Sequence, residues 1–223
     1  MSYPAKVMKA QALETGNILL PPARMIYAAL ITANLPRGET DEKKRRWEVT
    51  NLFPPSAEFK VLHAKFAELL RENLKPKEVE AIGELTLANI ADAGIRVPIL
   101  RTAKVKSLAG YAEDYPTAIR TNSRKYTNSG AARRAPQVVF YPNNDEVPAE
   151  SEATEIYAGR WCRTSVQPFF YEDERGGKGI SLGLVNVQLL KHDDPLAGAP
   201  AKASQEFQPS ADLDEDEDEG MLA

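Results

Sequence analysis

The stretch "YAGRWCRTSVQPFFY" (157–171) sets four aromatic rings and an arginine at alternate positions. In a β-strand, successive side chains point to opposite faces. One row then holds Tyr157, Gly159, Trp161, Arg163, Ser165, Gln167, Phe169 and Tyr171, and the other, Arg160 apart, is small or apolar. The small row suits a core. Four rings on a solvent face suit a surface that stacks unpaired bases, worth ~1–3 kcal/mol per base. Arg160 and Arg163 are placed to meet phosphates or to stack beside the rings. The competing reading packs the rings beneath helices, and a bulge near Gly159 or Pro168 would break the alternation.

A second stretch has complementary chemistry. Between Arg101 and Arg134 lie eight basic residues and two acidic ones, a net of +6 in 34 residues. The bases are Arg101, Lys104, Lys106, Arg120, Arg124, Lys125, Arg133 and Arg134, with Tyr111, Tyr115 and Tyr126 between them. Such bases neutralise phosphates and release counterions, and the tyrosines add stacking platforms. An ordinary solvated loop is the alternative. The run "KKRRW" (43–47) extends the basic surface only weakly.

Catalytic patterns are missing. There is no nucleophile elbow, HExxH or phosphate-binding loop, and "GGKG" (176–179) is explained by a hairpin turn. Asp193 and Asp194 are read as surface aspartates, and His63 as a structural or exposed helix residue. One cysteine, Cys162, and two histidines, His63 and His192, give neither a disulfide nor a structural zinc set. No metal and no cofactor are expected. No apolar run nears the ~20 residues of a membrane span, and the N-terminus lacks a signal-peptide core. These features favour an intracellular protein with no membrane partner.

The formal charge of −4 hides two parts. Seven acids, Asp212, Asp214, Glu215, Asp216, Glu217, Asp218 and Glu219, precede the apolar tip Met221, Leu222 and Ala223. Without those seven charges the remainder is +3. A flexible polyanion can occupy a basic groove in place of nucleic acid, and its apolar tip can dock on other proteins. A solubility tail is the plainer alternative.

The elements that must position these groups follow from periodicity. Residues 1–20 read as a loose arm, 23–31 and 45–53 as strands, and 54–74 as a helix capped by Ser56. A second helix spans 76–94, opened by Pro76 and closed by Gly94. Strands are expected at 94–102, 135–141, 155–172 and 178–190, the last two joined by a turn whose positive backbone angles come from Gly176 and Gly177. Residues 197–210 read as a linker. The body, 1–196, is therefore mainly β with helical insertions, a small curved sheet or barrel, followed by a flexible linker and acidic tail over 197–223.

The order "IYAGRWCRTSVQPFFYEDERGGKGISLGLVNVQLLKHDDPLAG" (156–198) resembles bacteriophage single-stranded-DNA-binding proteins with an OB-fold. Tyr-x-Gly, the aromatic strand, "GGKGISLGL", "NVQLL" and "DDPL" fall in the family's order, and the likeness extends over roughly 20–198. It implies a five-stranded OB-type barrel, no catalysis, and sequence-tolerant binding of single-stranded DNA in the cytoplasm of an infected bacterium. It also implies that the tail recruits replication and recombination proteins. A virion-type structural protein, with the aromatic strand as a subunit interface, is the rival reading. A nuclease using scattered carboxylates is a more distant one.

Overall fold

The computed structural model describes Tyr3 and residues 7–196; the linker and acidic tail lie outside the described residues. Its strands are β1 (Gln11–Ala12), β2 (Ile18–Leu19), β3 (Ala23–Asn34), β4 (Arg46–Phe53), β5 (Ile99–Arg101), β6 (Thr117–Arg124), β7 (Gln137–Phe140), β8 (Trp161–Glu172) and β9 (Lys178–Leu189). Four helices accompany them: α1 (Lys60–Asn73), α2 (Pro76–Ile82), α3 (Leu87–Asp92) and α4 (Glu152–Glu155).

All nine strands join one sheet. Antiparallel pairing links β3 to β4 and β4 to β6; β6 runs parallel to β9; β9 pairs antiparallel with β8, and β8 returns to β3. Five strands thereby close a ring. In chain order its connectivity is 1-2-3-5-4-1, the barrel of an OB-fold. The mainly β architecture with helical insertions is as the sequence predicts.

Alternation fills the barrel. Cys162, Thr164 and Val166 of β8, Ile180, Leu182 and Leu184 of β9, and Val49 and Phe53 of β4 are buried. Helix α1 lies against one end of this wall. Its Leu62, Phe66 and Leu70 recur every four residues, so they share one face, and all three are fully buried beside Ile119, Val166 and Ile180. Each such side chain contributes roughly 1.5–3 kcal/mol through burial.

Several expected boundaries move. Residues 7–20 are not a loose arm: Met8, Ile18 and Leu20 are buried, and β2 pairs with β8. Ser56 does not cap α1. The backbone of Glu58 exchanges hydrogen bonds with Met8 and Ala10, which holds it extended and delays the helix to Lys60. The expected helix over 76–94 splits into α2 and α3, because Gly83 takes a φ of 72° that breaks the helical hydrogen-bond run. Residues 155–160 form the end of α4 and a turn rather than strand. In the hairpin only Gly176 has a positive φ; Gly177 instead donates its N–H to Asp173 Oδ1 at 2.7 Å. Strand β6 was hidden in the polar basic stretch, since only Ala118, Ile119 and Thr121 of its eight residues are buried, Ile119 and Thr121 on the inner face and Ala118 beneath Leu108 on the outer one.

Truncating Phe66 to Ala should lower the unfolding free energy by about 3–5 kcal/mol, read by urea denaturation. Glu72→Ala, on the exposed face of the same helix, should change it by less than about 0.5 kcal/mol.

Candidate nucleic-acid interface

The outer wall of the barrel carries one continuous row of side chains. Glu48 of β4 is registered with Asn122 of β6, Asn122 with Gly183 of β9, and Gly183 with Gln167 of β8. Residues two positions along each strand lie on the same face. The row is therefore flanked by Arg46 and Thr50, by Arg120 and Arg124, by Ser181 and Gly179, and by Phe169 and Tyr171.

A shallow depression at this wall is lined by Asn122, Arg124, Arg133, Phe169, Tyr171 and Gly183. The small residues of β9 make it. Tyr171 is registered with Gly179, and a Cβ at Gly179 would sit 2.6 Å from the Tyr171 ring. The ring can lie against the strand only because that side chain is missing. Phe169 is 44% exposed, although it sits in the middle of a paired strand. A large apolar ring held open to solvent beside arginines can stack a planar, negatively charged polymer. The charges are available. Among the described residues, Arg124 donates only to Asn128 Oδ1, at 3.3 Å, and Arg120, Arg133 and Arg134 form no ion pair.

Adjoining depressions continue the surface in both directions. One shares Asn122 and is lined by Tyr27, Arg46, Glu48, Thr50 and Arg120. Another shares Leu184 and Val185 and includes Arg134 and Asn186. Of the residues singled out by sequence, Phe169, Tyr171, Arg120, Arg124, Arg133 and Arg134 thus come together. Lys125 and Tyr126 stand on the loop after β6, with the ammonium 5.6 Å from the ring centre. Lys104 and Lys106 are exposed on the segment between β5 and β6. Tyr111 packs half-buried in that segment's small core with Leu108, and burial raises its phenol pKa.

The other sequence candidates lie elsewhere. Trp161 occupies the outward row, as its parity requires, but is only 6% exposed. Residues 190–196 fold back over it, and its indole N–H donates to Asp193 Oδ2 at 2.7 Å. Arg24 sits 5.7 Å from the same ring and donates to Asp193 at 3.2 Å and to the Tyr115 hydroxyl at 3.3 Å. Arg160 is 3% exposed; it pairs with Glu155 and donates to the Leu190 carbonyl at 3.0 Å and to the His192 ring at 2.8 Å. Tyr157 stacks on His192 and donates to the Asp193 carbonyl at 3.0 Å. Placing Trp161 and Arg160 at a nucleic-acid face is therefore corrected. They are buried parts of a clamp that holds the end of the body, and Asp193 is its hub rather than a loose surface aspartate. Arg163 packs against the Leu20 carbonyl, and burial lowers its pKa.

Sequence reasoning missed Tyr27 and Asn122, and placed Gln167 only as one of the outward row. Tyr27 sits in the apolar run "ARMIYAALI" and gives no signal there. Asn122 becomes visible only through register, which sets it beside Gly183 and so in line with Gln167.

A family model described as Enterobacter phage Enc34, ssDNA-binding protein, matches residues 17–222. Among solved structures, the single-stranded DNA-binding protein from bacteriophage Enc34 in complex with ssDNA aligns with a TM-score of 0.55 at 18% identity, covering 87% of this chain and 96% of that one. The structure of that phage protein by itself aligns at 0.54 and 19%, covering 93% and 97%. At such identities the likeness is one of fold. No curated protein matches.

The clamp makes stability depend on pH. The Trp161 hydrogen bond, with the Asp194 N–H and Arg24, holds the Asp193 carboxyl below the ordinary carboxylate range. A depressed carboxylate stabilises the fold above its unfolded pKa of about 3.9, and that contribution disappears as pH falls through the lower folded value. Asp193→Asn should therefore be less stable than wild type at pH 7. The gap should narrow as pH drops below about 4, read by urea midpoints across pH.

Proposed function

The chain belongs to the Enc34 ssDNA-binding protein family, and from that premise we propose that it binds single-stranded DNA along the outer wall of its barrel, without catalysis. The observation that carries the reading is the depression that joins Phe169 and Tyr171 to Arg124 and Arg133. The rings stack bases, and the guanidiniums meet the backbone. Every base has a π-face, so binding of this kind is sequence-tolerant. In a duplex the bases are already stacked on one another and cannot reach the rings.

The body, residues 1–196, forms the binding domain, and residues 197–223 form a linker and acidic tail. The tail competes with DNA for the basic wall and, once displaced, recruits replication or recombination proteins of the phage in the host cytoplasm. Its seven acids against the remaining +3 support this reading.

Fluorescence titration with single- and double-stranded oligonucleotides at two salt concentrations tests the assignment. Single strands should bind more tightly than duplex, with a salt slope of ~0.7 per phosphate neutralised. Equal affinity for both forms at moderate salt would refute it. Phe169→Ala should cost ~1–3 kcal/mol of binding with little change in slope, whereas Arg124→Ala with Arg133→Ala should flatten the slope. If salt-dependent binding is absent altogether, the aromatic wall is better read as a subunit interface.

Deleting Asp212–Ala223 should strengthen binding to single strands. The gain should be largest at low salt and shrink near 0.1 M, where the Debye length is ~10 Å. Met221→Ser with Leu222→Ser should leave DNA affinity unchanged and weaken capture of partner proteins. A deletion that binds no better at low salt refutes the competition.

A further inference from the structure

Strand β3 carries a backbone anomaly at the far side of the same wall. Tyr27 has a φ of 49°, in the left-handed region that favours glycine. It sits at a register shift between Ile26 and Ala29, where Tyr27 and Ala28 together face the stretch of β4 between Thr50 and Glu48. Such a bulge re-aims a side chain. Here it turns a tyrosine out of an apolar strand, leaving it 58% exposed, while Ile26 and Ala29 on either side stay buried. The hydroxyl donates to the Ser107 carbonyl at 3.3 Å, so the ring is tethered at its tip. A bulky residue at positive φ costs of order 1–3 kcal/mol, and burial does not repay that cost in a ring this open to solvent.

The surroundings show what the ring faces. Its depression holds Arg46, Glu48, Thr50, Arg120 and Asn122. Arg46 is paired with Glu48 at 2.7 Å. Arg120 has no ion-pair partner among the described residues. This resembles the depression at Phe169 and Tyr171, where an exposed ring likewise stands beside guanidiniums without ion pairs, those of Arg124 and Arg133, and Asn122 is common to both.

We infer that Tyr27 is a second base-stacking platform, and that a bound single strand runs across the wall from Phe169 and Tyr171, over Asn122, to Tyr27, with a phosphate at Arg120. The inference rests on the proposed single-strand binding and specifies its path. From β8 through β9, β6 and β4 to β3 the wall spans four interstrand spacings, about 19 Å. At a spacing of ~3.4 Å per nucleotide that is on the order of six nucleotides, within the ~4–16 that one OB-fold holds. The polar row of Glu48, Asn122 and Gln167 lies under the bases between the two platforms.

The experiment uses the full chain, oligothymidylates of ~4 to ~16 nucleotides, and the variants Tyr27→Gly and Tyr27→Phe. Glycine accepts the positive φ, so Tyr27→Gly removes the ring without removing the bulge, and its thermal midpoint should stay near that of wild type. On the longest oligonucleotide it should bind about 5- to 140-fold more weakly. On the shortest, which reaches only one platform, the loss should be much smaller. Tyr27→Phe should bind like wild type. Tyr27→Gly binding every length as wild type does, while wild type still prefers single strands to duplex, overturns this inference and leaves the proposed function standing. A wild type with no such preference overturns both. As a readout independent of the variant's folding, a long oligonucleotide carrying 5-iodouracil should photo-crosslink to Tyr27 of the wild-type protein. Crosslinks confined to β8 and β9 overturn the path.

Discussion

Strand β8 is paired with β9 along almost its whole length and, from Trp161 to Val166, with β3 and β2 along its other edge as well. That closure is the constraint from which the rest follows. A strand held in register along β9 and closed on its other edge over its first half cannot slip by one residue, so its side chains are assigned to the inside or the outside. Inside, even a polar pair is tolerated because the register brings its partners together: the Asn51 side-chain oxygen accepts from Thr164 at 3.1 Å and from the Cys162 thiol at 3.3 Å. Burial pushes that thiol pKa up to about 12, so the single cysteine is an inert core residue.

Outside, the wall is divided by what covers it. Residues 190–196 cover one end and order Arg24, Trp161 and Asp193 into a clamp. The segment between β5 and β6 covers another part through Leu108, which is fully buried against Ile26, Leu52 and Ala118. Between these covers a band of sheet stays open, and there the small outward residues Gly179, Ser181 and Gly183 leave room for rings to lie down. The same residue type therefore has two fates. Arg24 and Arg160 are buried and paired, because an unpaired charge there would be prohibitive. Arg120, Arg124 and Arg133 keep their charge in water, at the cost of no desolvation, and so remain available to an anionic polymer.

The alternation in 157–171 by itself determined which β8 residues share a face, and Cys162, Thr164 and Val166 inside with Phe169 outside obey it. The basic excess of 101–134 and the acidic run from Asp212 are likewise plain in the sequence, as are strands β3, β4 and β9, whose apolar patterns are strong. These are local properties, set by side-chain chemistry and a two-residue period. Only tertiary structure decided which outward residues are exposed. Trp161 and Phe169 have the same parity and similar chemistry, yet one lies under the returning chain at Asp193 and the other lies open. The bulge that turns Tyr27 outward, and the register that sets Asn122 beside Gly183, depend on partners dozens of residues away. Parity is encoded by neighbours along the chain, whereas cover and register arise from contacts between distant segments, which no local pattern records.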